Sequence, residues 1–184
     1  MKELKNEIKF CYEDYKNLPE SETERYELFK GDLIMVPSPT TYHQQILGNL
    51  EFILKDFVKR NDLGHLYHSP LDVVLSQENV VQPDILFISK NSSEIITEEN
   101  IQGAPDLTIE ILSESTAGRD RTLKKTLYAK YGVKEYWLVD PETKTIEVLG
   151  LTERGFIRKS YYREGETLTS PVLKGLRIDL KEVF

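Results

Sequence analysis

Apolar residues recur at three- and four-residue spacing through Ile46, Leu47, Leu50, Ile53, Leu54, Phe57 and Val58. That spacing predicts a helix with one buried face. Thr40 or Thr41 can cap its start, and Gly64 ends the connection after it. Before it, YELFKGDLIMVPSP reads as a hairpin. Its strands are Tyr26 to Phe29 and Leu33 to Val36, joined by a Lys30-Gly31-Asp32 turn and stopped by Pro37 and Pro39. After it come two strand patterns, LDVVLS (71–76) and DILFIS (84–89). The polar segment SSEIITEENIQ reads as a loop or short helix. PDLTIEILS (105–113) is apolar on both faces, as a central strand is. A helix follows from about Arg119 to Tyr131, stopped by Gly132. Strand patterns EYWLVD (135–140), KTIEVLG (144–150) and GFIRKSYY (155–162) come next, and the tail VLKGLRIDLKEVF alternates as a last strand with a short end. The first 25 residues are charged and weakly patterned, with a helix expected around Lys5 to Lys16. The sum is an α/β fold with a mixed sheet.

The 184 residues suit one domain with a real core, spanning 1–184 with residues 1–25 as a helical N-terminal extension. Hydrophobic residues at 39% exclude a disordered chain. The apolar runs are too short to span a bilayer, and MKELKNEIKFCYEDY lacks the apolar stretch of a signal peptide, so a cytoplasmic location is expected. The lone Cys11 excludes an internal disulfide and a cysteine-based zinc site, and reads as a small packing residue. The net charge of −7 is awkward for a nucleic-acid enzyme, because phosphate binding needs Lys and Arg. Local clustering matters more than the sum, and a bound cation would offset carboxylates.

Two features carry chemistry. Alternation puts Asp106, Thr108, Glu110 and Leu112 on one face of their strand. A glutamate inside an apolar central strand is costly unless it is paired or binds a cation. At about 100° per residue, Lys124 lies at the centre of a helical stripe with Asp120, Leu127, Tyr128 and Tyr131. Lys125 and Lys130 point elsewhere. A lysine on a core-facing stripe either snorkels or meets a carboxylate, and Glu110 is the nearest candidate. With Asp84, which opens DILFIS after Pro83, these residues make a metal-hydrolysis trio. Two carboxylates suit Mg²⁺, and a lysine positions or deprotonates water or stabilises the phosphate.

The runs YELFKGDLIMVPSPTTYHQQI, VVQPDILFIS, GAPDLTIEILSEST and DRTLKKTLYAKYGVKEYWLVDP resemble the Uma-type restriction endonucleases. These are a bacterial branch of the PD-(D/E)-x-K nuclease superfamily. The resemblance spans roughly residues 26 to 150. It implies a restriction-endonuclease-like mixed central β-sheet flanked by α-helices, and a Mg²⁺- or Mn²⁺-dependent endonuclease acting on DNA as a homodimer. It implies that Asp84 and Glu110 bind metal. The superfamily lysine stands two residues after the glutamate, but here that position is Leu112, and Lys124 takes the part from the next helix.

Glu27 falls in the Tyr-Glu-Leu block and either adds an acidic group or faces solvent from a hairpin. His43 approaches the metal or phosphate, or is a satisfied helix-start histidine. Asp120 supports Lys124 from one turn earlier. Asp106, on the Glu110 face but near the strand start, is expected either to support the site from behind or to cap a neighbouring backbone group. His65 and His68 are placed in a loop, and Tyr128, Tyr136 and Trp137 are read as an aromatic core cluster. The apolar tail residues Val172, Leu173, Leu176, Ile178, Leu180, Val183 and Phe184 are expected at an edge or a dimer interface. The competing reading is a nuclease-fold protein that binds nucleic acid or a protein partner without cutting. A weaker one is a metal hydrolase acting on a small phosphoester.

Overall fold

A computed structural model of the chain describes residues 8–19 and 25–184. Of the helix expected around Lys5 to Lys16, only α1 (Tyr12–Lys16) forms among the described residues; residues 8–11 are not helical, and 5–7 lie outside the described residues. The hairpin forms β1 (Arg25–Phe29) and β2 (Asp32–Val36). Phe29 pairs with Asp32, so the turn is the two residues Lys30-Gly31. Both have positive φ, 50° and 81°, as a tight hairpin turn matching strand twist requires. Then come α2 (Thr41–Arg60), β3 (Gly64–His68), β4 (Val73–Ser76), β5 (Asn79–Val81) and β6 (Ile85–Ser89). A short 3₁₀ turn, β7 (Ile101–Gln102) and β8 (Leu107–Ile111) follow. The second helical run is α3 (Ala117–Arg119), a π turn (Asp120–Lys124) and α4 (Lys125–Tyr131). It ends at Gly132, whose φ is 90°. The chain finishes with β9 (Glu135–Asp140), β10 (Thr145–Thr152), β11 (Gly155–Arg163), β12 (Thr167–Leu168) and β13 (Ile178–Asp179).

The main sheet runs β11-β10-β9-β8-β6-β3, and a second sheet runs β2-β1-β5-β4-β7. Both are mixed: β8 with β9 and β4 with β7 are parallel, and the other pairings are antiparallel. Strand alternation sends successive residues of the main sheet into two cores. Ile85, Phe87, Ile109, Trp137 and Val139 pack on the face covered by α2 and the C-terminal segment. Leu86, Ile88, Tyr136 and Leu138 pack on the other face, with Leu127 and Tyr128 of α4 and Val73 and Val81 of the second sheet. Central strands covered on both faces carry apolar residues on both for this reason.

Several expectations are corrected. His65 and His68 lie in β3, an edge strand, not in a loop. Gly64 opens that strand; a Cβ there would meet the Ile88 carbonyl oxygen at 2.1 Å, so the close approach needs glycine. Trp137 does not share a cluster with Tyr128 and Tyr136, because alternation turns it to the α2 face. Tyr128 and Tyr136 meet edge to face at 5.1 Å. The C-terminal tail is not one alternating strand. Leu173, Leu176, Ile178, Leu180 and Val183 are buried within the chain's own core, so they supply no dimer interface. Glu135 anchors this tail: its buried carboxylate accepts from Trp137 Nε1 (2.6 Å), Ser170 Oγ (2.7 Å) and the Val172 amide (2.8 Å).

Thr40, not Thr41, caps α2, accepting from the His43 amide at 3.1 Å. Thr40→Ala is expected to cost about 1 kcal/mol, the scale of a lost N-cap. Urea unfolding measures it, and an unchanged midpoint would show that the cap is dispensable.

Candidate active site

The register that pairs Ile85 with Ile109 places Asp84 opposite Glu110 across β6 and β8. Opposed residues share a face, here the face that carries α4. The Asp84 carboxylate also accepts from the Ile111 amide at 2.7 Å, which fixes it beside β8. The helical run is placed by Leu127 and Tyr128, which fill the core against this face. Its π turn sets Asp120 and Lys124 inward together. The Lys125 amide reaches back five residues to the Asp120 carbonyl, and the Tyr136 hydroxyl donates to that same carbonyl at 3.1 Å. π turns are rare and concentrate at functional sites.

Lys124 is the centre of the arrangement and is 4% exposed. Its Nζ lies 2.9 Å from Glu110 Oε1, 2.9 Å from Glu27 Oε1 and 3.7 Å from Asp120 Oδ1. Tyr128 donates to Glu110 Oε1 at 2.7 Å. Glu27 comes from β1 of the second sheet, is 1% exposed, and accepts from the Gln82 amide at 2.9 Å. It therefore does not face solvent. His43 Nε2 lies 3.3 Å from Asp84 Oδ2. All six candidate residues, Glu27, His43, Asp84, Glu110, Asp120 and Lys124, line one cleft of about 930 Å³. That is within the usual size of ligand sites, roughly 300–1,000 Å³.

Electrostatics follow from this burial. Desolvation raises the Glu110 carboxyl well above its ordinary value; Asp120, Asp84 and Glu27 add to the rise and Lys124 opposes it. Desolvation likewise raises Asp120, with Lys124 opposing. Burial works against a charged Lys124, but Glu110, Glu27 and Asp120 outweigh it and hold the ammonium above the ordinary lysine value. The lysine is therefore a firmly protonated cation in this state.

The donor set suits a hard cation. Glu27 Oε2 and Asp120 Oδ1 are buried oxygens with no hydrogen-bond partner. Such oxygens are costly unless a cation or donor takes them. Glu27, Asp84, Glu110 and Asp120 outnumber Lys124 and Arg119 at this end of the cleft. Among the described residues, however, no three His, Cys, Asp or Glu groups converge as a metal-binding cluster in this conformation. The Lys124 ammonium lies between the carboxylates instead.

A family model described as "Uma2: Putative restriction endonuclease" matches residues 12–181. The chain belongs to the Uma2 family. A crystal structure described as "a putative nuclease belonging to DUF820", from Anabaena variabilis ATCC 29413, aligns with a TM-score of 0.79 and 22% identity, over 95% of this chain and 97% of that one. At that identity the likeness establishes the fold, a mixed sheet flanked by helices. No curated protein is similar enough to match. No helix among the described residues is long and apolar enough to cross a membrane.

Two further groups in this Uma2 chain were not singled out from sequence. Tyr128 was read as packing, and only the helical stripe it shares with Lys124 hinted at a polar contact. Arg119 sits 3.9 Å from Glu27 Oε2 and over the Phe29 ring. It depends on β1 being folded against the helix, which nothing local to Arg119 announces. Asp106 does cap a backbone group, accepting from the Ser89 amide at 2.7 Å and pairing with Lys134.

Proposed function

We propose that this Uma2 protein is a Mg²⁺- or Mn²⁺-dependent nuclease that hydrolyses phosphodiester bonds in DNA. The observation that carries the reading is the gathering of Glu27, Glu110 and Asp120 around one buried ammonium, with Asp84 opposite Glu110 in the same cleft, in a nuclease fold. Asp84 and Glu110 would hold the cation. When bound, it supplies a water of lowered pKa and charge for the phosphoryl oxygens. Lys124 keeps its proton and acts as a fixed positive charge beside Glu110, aimed at negative charge developing on the phosphate. It is a poor base while the carboxylates surround it. Asp120 and Glu27 hold the Lys124 ammonium in place. His43 orients Asp84 through the 3.3 Å contact. Tyr128 fixes the Glu110 oxygen that faces Lys124. Cutting both strands of a duplex takes two such sites, which a homodimer would supply.

The test is incubation of plasmid and labelled oligonucleotides with and without Mg²⁺ or Mn²⁺, together with thermal unfolding. Cleavage should require the cation. The cation should also raise Tm by several degrees, because a ligand at a hundredfold its Kd stabilises by about 2.7 kcal/mol. The second reading, a nuclease-fold protein that binds without cutting, draws support from the net charge of −7. Cation-independent binding with no cleavage of any substrate would favour it.

A further inference from the structure

Arg119 is a charged residue whose donors are poorly met inside the chain. Its side chain is 13% exposed. A guanidinium carries five N–H donors, yet among the described residues Arg119 donates no hydrogen bond. Its Nε is fully buried and unpartnered. Glu27 Oε2 at 3.9 Å is too far for a hydrogen bond and is itself unpartnered. Arg119 also acts on the Asp120 charge, and the Phe29 ring lies 6.0 Å from the guanidinium carbon, a cation–π approach that orients the group but satisfies no donor. By contrast Arg121, two residues on, is committed to Asp140 and Glu147 at 3.2 and 3.6 Å. Both arginines line the same cleft.

A buried, unsatisfied guanidinium N–H is unfavourable unless an acceptor takes it. Anything that completes it must be an acceptor and is best an anion. A planar fork of N–H groups matches the paired oxygens of a phosphate. The guanidinium stands beside the cleft's carboxylates, 3.9 Å from Glu27 Oε2. The carboxylates suit a cation, and the unsatisfied N–H of Arg119 suits an anion.

We propose that Arg119 is the phosphate-gripping residue of this cleft, holding a non-bridging oxygen pair of a nucleic-acid strand beside the Asp84–Glu110 carboxylates. This rests on the nuclease reading. It adds that the substrate is positioned by an arginine contact inside the cleft itself. Arg119 is thus a substrate-binding residue, and its loss raises KM more than it lowers kcat.

The experiment is fluorescence anisotropy of fluorescein-labelled single-stranded and duplex oligonucleotides, with Ca²⁺ in place of Mg²⁺ to suppress cutting, across a salt series. Arg119→Ala should weaken binding about ten- to hundredfold. Its log–log salt dependence should flatten by about one phosphate contact. Arg119→Lys keeps the charge but not the fork, and should fall between. Arg121→Ala, already committed to two carboxylates, should change affinity less than about threefold. Thermal unfolding of every variant controls for folding. Arg119→Ala that is folded and binds like wild type overturns the proposal while leaving the nuclease reading intact. The same holds if Arg119→Lys and Arg119→Ala lose only stability. Wild type that neither binds nor cuts any oligonucleotide removes both.

Discussion

Replacing Lys124 by alanine is expected to cost about 3–5 kcal/mol of folding stability near neutral pH, the scale for breaking a buried ion pair from one side. The mutation leaves Glu110, Glu27 and Asp120 buried together without their common counter-charge. The sign with pH follows. The folded-state carboxyls of Glu110 and Asp120 are already raised by desolvation, and removing Lys124 raises them further. Carboxyls raised in the folded state favour folding at acid pH, and this advantage is lost as pH rises above their unfolded values. The deficit of Lys124→Ala should therefore be small near pH 4 and grow toward pH 8. Lys125→Ala should stay within about 0.5 kcal/mol at every pH, because Lys125 leaves the helix on another face and is in no ion pair among the described residues. Mg²⁺ or Mn²⁺ should restore part of the lost Tm in Lys124→Ala, since a divalent ion can replace the missing charge. Activity should fall about 10²-fold or more in Lys124→Ala and little in Lys125→Ala. Equal stability loss in the two variants, or a deficit that shrinks with rising pH, would sink the assignment.

How far the sequence reached can be followed residue by residue. The inward position of Lys124 was legible because helical spacing is a local property, and the stripe through Asp120, Leu127 and Tyr128 survives the π turn. Glu110 was legible as a charge inside an apolar strand. Its pairing with Asp84 needed the antiparallel register of β6 and β8, which spacing alone does not give. Glu27 was ambiguous for a physical reason. A hairpin strand read by itself has one free face, but β1 also pairs with β5, a three-residue strand too short to show a pattern. That second pairing, with the helix above it, buries Glu27. β3 was missed because GHLYH lacks the β-branched run that marks a strand. The tail misled for the opposite reason. Its apolar residues suggest an interface until Glu135 is seen drawing Ser170 and Val172 onto the main sheet.

Glu110→Gln should separate stability from chemistry. The amide keeps the shape of the carboxyl and an oxygen to accept from Lys124 and Tyr128, which meet Oε1 at 2.9 and 2.7 Å. It removes a charge whose burial is the first cause of the raised Glu110 carboxyl. Lys124 is not orphaned, because Glu27 stays 2.9 Å away. In wild type, ionising Glu110 works against folding as pH climbs from its unfolded value through its raised folded one. The variant lacks that cost, so its Tm at pH 7–8 should equal or exceed that of wild type, and the margin should narrow toward pH 4. On the proposed reading a cation ligand is lost as well, so any Tm rise with Mg²⁺ or Mn²⁺ should shrink sharply. Cleavage should fall by about 10²–10³-fold, the range for removing one electrostatic group from an active site. These three readouts pull in different directions, which a merely structural role for Glu110 cannot reproduce. If Glu110 only braces the core, Glu110→Gln loses several degrees of Tm and responds to the cation as wild type does. If it is the carboxylate on which the chemistry depends, the more stable protein is the inactive one, an instance of the cost in folding stability that a buried charged site imposes.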